Sequence, residues 1–140
     1  MGNKFEIYQI GTVEKQGGET IIKICKKYKE ALLGLDGFSH MIVCYWFHKN
    51  DTPEQRRILQ VYPKGHRYNP LTGVFATCSP VRPNLLAISI CKILSIEDTT
   101  IRIDDIDALD QTPVIDIKPY VPHMHSKTDH IKVPEWIMPK

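Results

Sequence analysis

The 140-residue sequence has no C-x-x-C pair, no glycine-rich phosphate loop, no internal repeat and no long apolar run. Each absence removes a class of protein. Its four cysteines (Cys25, Cys44, Cys78, Cys91) stand far apart, and three lie in or beside apolar segments. That spacing argues against a zinc ribbon, a redox motif or a disulfide scaffold, and for buried thiols in a reducing compartment. The longest apolar run, Met41 to Phe47, is far shorter than the ~20 residues of a spanning helix. The opening MGNKFEIYQIG has no apolar core after its lysine, as a secretory leader requires. These features lead us to expect a cytoplasmic protein outside the membrane. The only spaced glycine pair, GLDG at 34–37, matches neither G-x-G-x-x-G nor the Lys-Ser/Thr ending of a phosphate loop. A Rossmann-type dehydrogenase or methyltransferase is thereby excluded.

What is present is an ordinary globular composition, 42% hydrophobic and 24% charged, with a formal net charge of +2. The length is that of one domain, able to bury a core without metal or disulfide. Several segments have strand length and strand composition. KFEIYQIGTV and ETIIKIC flank the Gly17-Gly18 turn signal. HMIVCYWFH and LLAISICKILSI read as strands buried on both faces, TTIRIDDI as a half-exposed one, and TPVIDIKPYV closes the set. Helical signals are few. CKKYKEALLGL fits a short helix ending at Gly34, and DTPEQRRILQ has a Thr52 cap, Pro53 at the first helical position and Gln55 in the capping-box place. The expected fold is mainly β, a small antiparallel barrel with few short helices, over residues 1–122. Residues 123–140 lose periodicity and read as a tail lying on the surface or on a second subunit.

Charge is segregated. Lys49, Arg56, Arg57, Lys64 and Arg67 face only Asp51 and Glu54, with His48 and His66 on the cationic side. Between Glu97 and Asp116 there are seven acids and only Arg102. One end suits phosphate and the other hydroxyls or a cation, although two solvated loops of opposite sign would have the same pattern. The run DDIDALDQTP lacks the alternating ligands and glycine of a calcium loop. His123, His125 and His130 have no cysteine near them in sequence, so no metal is expected. Cys78 has Arg82 close in sequence but no positioned histidine, which argues against a reactive thiol.

Four segments go further. YQIGTV (8–13), GLDGFSHMIVCYWFH (34–48), GVFATCSPVRPN (73–84) and DALDQTPVIDIKPYVP (107–122) occur in this order with compatible spacing. Together they resemble the TsaA-like family, whose characterised members are tRNA methyltransferases that N6-methylate threonylcarbamoyl-adenosine beside the anticodon. The resemblance implies a small β-barrel, S-adenosyl-L-methionine bound without a Rossmann fold, and a homodimer with the cofactor near the subunit interface. It also implies cofactor contacts at His48, Lys49, Cys78 and Ile90, and along Ile106, Asp107, Ala108 and Leu109. Asp110 and Asp116 become candidate bases for the N6 proton, with turn capping or pairing to Lys118 and Arg102 as the competing reading. Arg56, Arg57, Lys64 and Arg67 become candidate RNA contacts. Three departures accompany the resemblance. Cys78 stands where the family pattern A-T-R-S-P has Arg, NLLAIS replaces an Asn-Pro-Ile-Gly-Leu-Ser type of stretch, and the N-terminal Pro-Arg-Gln tripeptide is missing. Methylation of another substrate, or a non-catalytic module binding cofactor or RNA, stays open beside the tRNA reading.

Overall fold

The computed structural model describes residues 2–125 and 130–137 of the chain. Its strands are β1 (Gly11–Gln16), β2 (Glu19–Ile24), β3 (His40–Trp46), β4 (Gln60–Val61), β5 (Thr72–Gly73), β6 (Leu86–Glu97), β7 (Thr100–Ile103) and β8 (Pro113–Pro119). Six of them close into an antiparallel barrel in the order β1-β2-β7-β6-β3-β8, while β4 and β5 form a separate two-stranded ribbon. The helices α1 (Pro53–Arg56) and α2 (Pro122–His125) are single turns. This is the mainly β barrel that the strand pattern predicts.

The core follows from side-chain alternation. Val13, Ile22, Met41, Val43, Tyr45, Ile101, Ile103 and Val114 occupy every second position of their strands and point into the barrel, each essentially buried. Cys91 enters the same core, and burial, with Asp104 and Asp105 nearby, pushes its thiol up to about 12. Three glycine positions are dictated by geometry. Gly17 and Gly18 both have positive φ (57° and 79°), as a two-residue hairpin turn between right-twisted strands requires. Gly11 permits close approach, since a Cβ there would sit 2.5 Å from the Lys23 carbonyl oxygen.

Several elements differ from the sequence expectation. The segment before Gly11 is largely exposed and forms no strand; half-buried Ile10 donates from its amide to the Val114 carbonyl and accepts at its carbonyl from the Cys25 amide, both at 2.8 Å. CKKYKEALLGL forms a 3-10 turn at Lys26–Leu32, and Gly34 follows with φ 90°. The capped helix is real but stops at Arg56: Thr52 Oγ1 accepts from the Gln55 amide at 3.2 Å, with Pro53 at the first turn. The largest correction concerns β3 and β6, expected to be buried on both faces. A barrel strand has one inner face, so β3 alternates buried with half-buried, and β6 leaves Leu86, Ile88, Ile90 and Leu94 exposed on its outside. In the tail, Trp136 is half-buried. Of the three tail histidines, His123 and His130 are exposed; the His125 side chain and residues 126–129 and 138–140 lie outside the described residues. No described helix is long and apolar enough to cross a membrane.

Gly11→Ala drives a methyl group into a backbone oxygen that cannot rotate away. It should destabilise the barrel by about 1–3 kcal/mol, read as a lower urea midpoint. An unchanged midpoint would show that β1 and β2 separate at no cost.

Candidate functional site

β6 is twelve residues long and serves two partners in succession. Leu86–Lys92 pairs with β3 on one edge, and Ile93–Glu97 pairs with β7 on the other. Among the described residues, no strand covers the second edge of β6 from Leu86 to Ile90. The chain that leaves β7 loops past this gap before entering β8. Between the two lies a cleft of about 790 Å³, whose floor is the Leu86–Ser89 end of β6 and whose wall is Asp107, Ala108 and Leu109.

Tyr45 positions that wall. Buried on β3, its hydroxyl donates to the Asp107 carbonyl at 2.7 Å and lies 3.0 Å from Ser89 Oγ. Burial, reinforced by Asp107, raises the phenol above its ordinary value, so it stays protonated and remains a donor. The Tyr45 ring packs edge-on against Phe47, centroids 6.1 Å apart, at the point where β3 gives way to His48 and Lys49. Lys15 closes the wall from below, its Nζ donating to the Ile106 carbonyl at 2.8 Å.

The opposite rim is the turn around Cys78, and it is clamped by its own side chains. The Arg82 guanidinium donates to the carbonyls of Thr77 and Ser79, both at 3.1 Å, bracketing Cys78. Thr77 Oγ1 and Ser79 Oγ accept from the amides of Ser79 and Val81. Proline at 80 and 83 fixes φ, so little entropy is lost in holding the turn. Arg56 secures its far end: Nε donates to the Pro83 carbonyl at 2.9 Å, an Nη lies 3.4 Å from Asp51, and the guanidinium stacks 5.7 Å over Trp46.

The structure therefore brings His48, Lys49, Cys78, Asp107, Ala108 and Leu109 to one cleft. Four other candidates do not line it. Ile106 is in the core at 3% exposure. Ile90 lies on the outer face of β6, next along from Ile88, which does line the cleft. Asp110 is taken up structurally, its Oδ1 accepting from the Lys15 amide at 2.8 Å. Asp116 lies on β8 with Oδ1 accepting from the Ile117 amide, beside a second, apolar cavity lined by Tyr28, Leu32, Leu35 and Phe38. Asp116 thus caps the next amide in sequence, whereas Asp110 ties its loop to β1, 95 positions away. Among the RNA candidates, Arg56 is half-buried and Arg57, Lys64 and Arg67 are exposed. Sequence reasoning missed Lys15, Tyr45 and Ser89, whose roles depend on contacts across 44 to 91 positions of chain.

Residues 4–126 match the model of the tRNA-methyltransferase O N-terminal domain. The chain belongs to this family. Within its reach, a probable S-adenosyl-L-methionine-binding protein of Methanocaldococcus jannaschii is 49% identical over 109 residues, covering 78% of this chain and 86% of that protein. A similarly named protein of Pyrococcus horikoshii is 47% identical over 114 residues, 81% of each chain. The mouse tRNA (adenine(37)-N6)-methyltransferase is 38% identical over 93 residues, 66% of this chain but only 21% of the enzyme. Among solved structures, TrmO from Pseudomonas aeruginosa superposes with a TM-score of 0.75 at 24% identity, over 99% of this chain and 64% of that one. That likeness confirms the barrel. The chain thus spans 64% of that bacterial structure, and its match covers most of these two archaeal relatives but about a fifth of the mouse enzyme.

Within this family member, the Tyr45 hydroxyl is the tie between barrel and cleft wall. In Tyr45→Phe, amide hydrogen exchange across 107–109 should accelerate while the β3 amides stay protected, with a loss of about 1 kcal/mol in stability. Unchanged exchange at 107–109 would mean that the wall is held by other contacts.

Proposed function

We propose that the chain binds S-adenosyl-L-methionine in the β6 cleft and is a tRNA methyltransferase acting on N6 of threonylcarbamoyl-adenosine beside the anticodon. The observation that carries this reading is the convergence on one cleft of three separate segments: His48-Lys49, the Cys78 turn and Asp107–Leu109. Family membership and the names of the archaeal and mouse relatives support it.

The cleft's donor set fits such a ligand. Its volume is within the range of small-molecule sites. Leu86, Ile88, Ala108 and Leu109 offer apolar surface, and the free β6 edge offers backbone hydrogen-bonding groups. Asp107 suits ribose hydroxyls, while Lys15, Lys49 and Arg82 supply the cationic groups that a carboxylate requires. Arg82 is thereby a guanidinium in the same turn where Cys78 replaces the family's Arg. Ile106 supports the wall from the core. When bound, S-adenosyl-L-methionine supplies an already activated methyl group, which leaves the protein chiefly the task of alignment. Of the candidate and cleft carboxylates, Asp107 is the one that lines the cleft. Lys64, Arg67 and Arg57 are the proposed phosphate contacts, with Arg56 framing the turn.

The same reading includes a homodimer. Leu86, Ile88 and Ile90 form an outward apolar stripe on β6 that runs out of the cleft. A second copy seated on it would cover that stripe and bring Ile90 beside the ligand.

Incubation with methyl-labelled cofactor should label tRNA carrying the threonylcarbamoyl group and leave unmodified tRNA unlabelled. Binding of cofactor without label on either tRNA would move the activity to another acceptor or to a binding role. No binding at millimolar cofactor would overturn the proposal. Sedimentation should give twice the 16.1 kDa chain mass. Ile88→Asp combined with Ile90→Asp should give a folded monomer; a persistent dimer would place the interface elsewhere.

A further inference from the structure

No Asp or Glu occurs between Glu54 and Glu97. At the centre of this stretch, the chain leaves the cleft rim after Asn50 and returns to it at Thr77, and between those points it builds the β4–β5 ribbon outside the barrel. Gln60 pairs with Gly73 and Val61 with Thr72. The connection, Tyr62 to Leu71, is internally braced. Buried Asn69 donates from Nδ2 to the Pro63 carbonyl at 2.8 Å and from its amide to the His66 carbonyl at 3.0 Å. Lys64 and Gly65 both take positive φ (58° and 70°), which reverses the chain within two residues.

This braced loop presents rings and cations outward. His66 and Tyr68 are stacked nearly parallel, centroids 4.8 Å apart and planes at 15°. The Arg67 guanidinium lies 5.4 Å over the Tyr62 ring. Tyr68 is 67% exposed, and Phe75, two residues before the cleft rim resumes, is 83% exposed. A folding role does not explain so much exposed aromatic surface on a loop fixed by buried hydrogen bonds. Aromatic faces interleaved with uncompensated cations are the surface that unpaired nucleotides bind, with bases on rings and phosphates on Lys and Arg.

We propose that the 58–76 ribbon is a stacking platform for unpaired nucleotides of an RNA whose target base enters the cleft. Tyr68 with its His66 partner is the principal base contact, Phe75 is a second, and Lys64 and Arg67 take the flanking phosphates. This deepens the tRNA reading and rests on it. It is specific in requiring an unpaired segment next to the modified base rather than a duplex.

The test is equilibrium binding of a fluorescein-labelled single-stranded oligoribonucleotide, compared with a duplex of the same sequence, across a salt series. Wild type should prefer the single strand and quench its tyrosine fluorescence on binding. Tyr68→Ala should weaken binding about tenfold with the salt slope unchanged, because stacking releases no counterions. Tyr68→Phe should retain binding, and Phe75→Ala should lose several-fold. Lys64→Ala with Arg67→Ala should instead flatten the log–log slope by about 1.4. Full affinity in both Tyr68→Ala and Phe75→Ala, alongside the slope change in the lysine–arginine pair, would overturn the platform and leave the tRNA reading standing. Absence of any RNA binding by wild type, with cofactor binding intact, would overturn both. Circular dichroism of each variant separates these outcomes from unfolding.

Discussion

A hydroxyl buried at the end of a barrel strand holds the candidate site together. Tyr45 is inside the core through its ring and outside it through its oxygen, which reaches the Asp107 carbonyl at 2.7 Å. Its strand, β3, is bonded on both edges, to β6 and to β8, so Tyr45 is as fixed as any residue of the barrel. The wall it holds is a loop anchored on either side of that point, by buried Ile106 and by the Asp110 bond to the Lys15 amide. A hydrogen bond of this kind contributes only about 1 kcal/mol net to stability. Its structural effect is larger, because it decides whether the open edge of β6 faces a wall or bulk solvent.

That open edge exists because β6 is longer than β7 is. Twelve residues meet four on one side, and the barrel closes only through a register shift between Ile93 and Ser95. The unmatched end of β6 then has an inner edge facing the cleft and an outer apolar face facing away from the barrel. A fold that left both uncovered would present a strand edge and a hydrophobic stripe to solvent, an arrangement proteins ordinarily block or pair. In the proposed function, a ligand at the edge and a second subunit on the face would cover both.

How much of this was legible in the sequence varies by element. The barrel was, because alternation at period two marks β7 and β8, and runs of β-branched residues mark β3 and β6. The solvent exposure of Ile88 and Ile90 was not: an apolar run cannot say whether its second face meets a core, a partner or water. The Thr52–Gln55 cap was readable, since capping is a local interaction, whereas the length of α1 was not. His48, Lys49 and Asp107–Leu109 were reached through motif resemblance, and they meet at the cleft. Asp110 and Asp116 have the right chemistry for a base, but each accepts from a backbone amide, Asp110 from Lys15 far away in the chain and Asp116 from its neighbour Ile117. Lys15 and Tyr45 could not be found from local signals, because each acts on a segment far away in the chain.

The central claim is that the β6 cleft, and not the apolar cavity beside Asp116, receives S-adenosyl-L-methionine. Titrating the isotope-labelled protein with the cofactor while recording amide chemical shifts tests this most directly. The account predicts perturbations clustered at Lys49, Ser89 and Asp107–Leu109, with Tyr28, Leu35 and Phe38 unmoved. Shifts confined to Tyr28, Leu35 and Phe38 would contradict it.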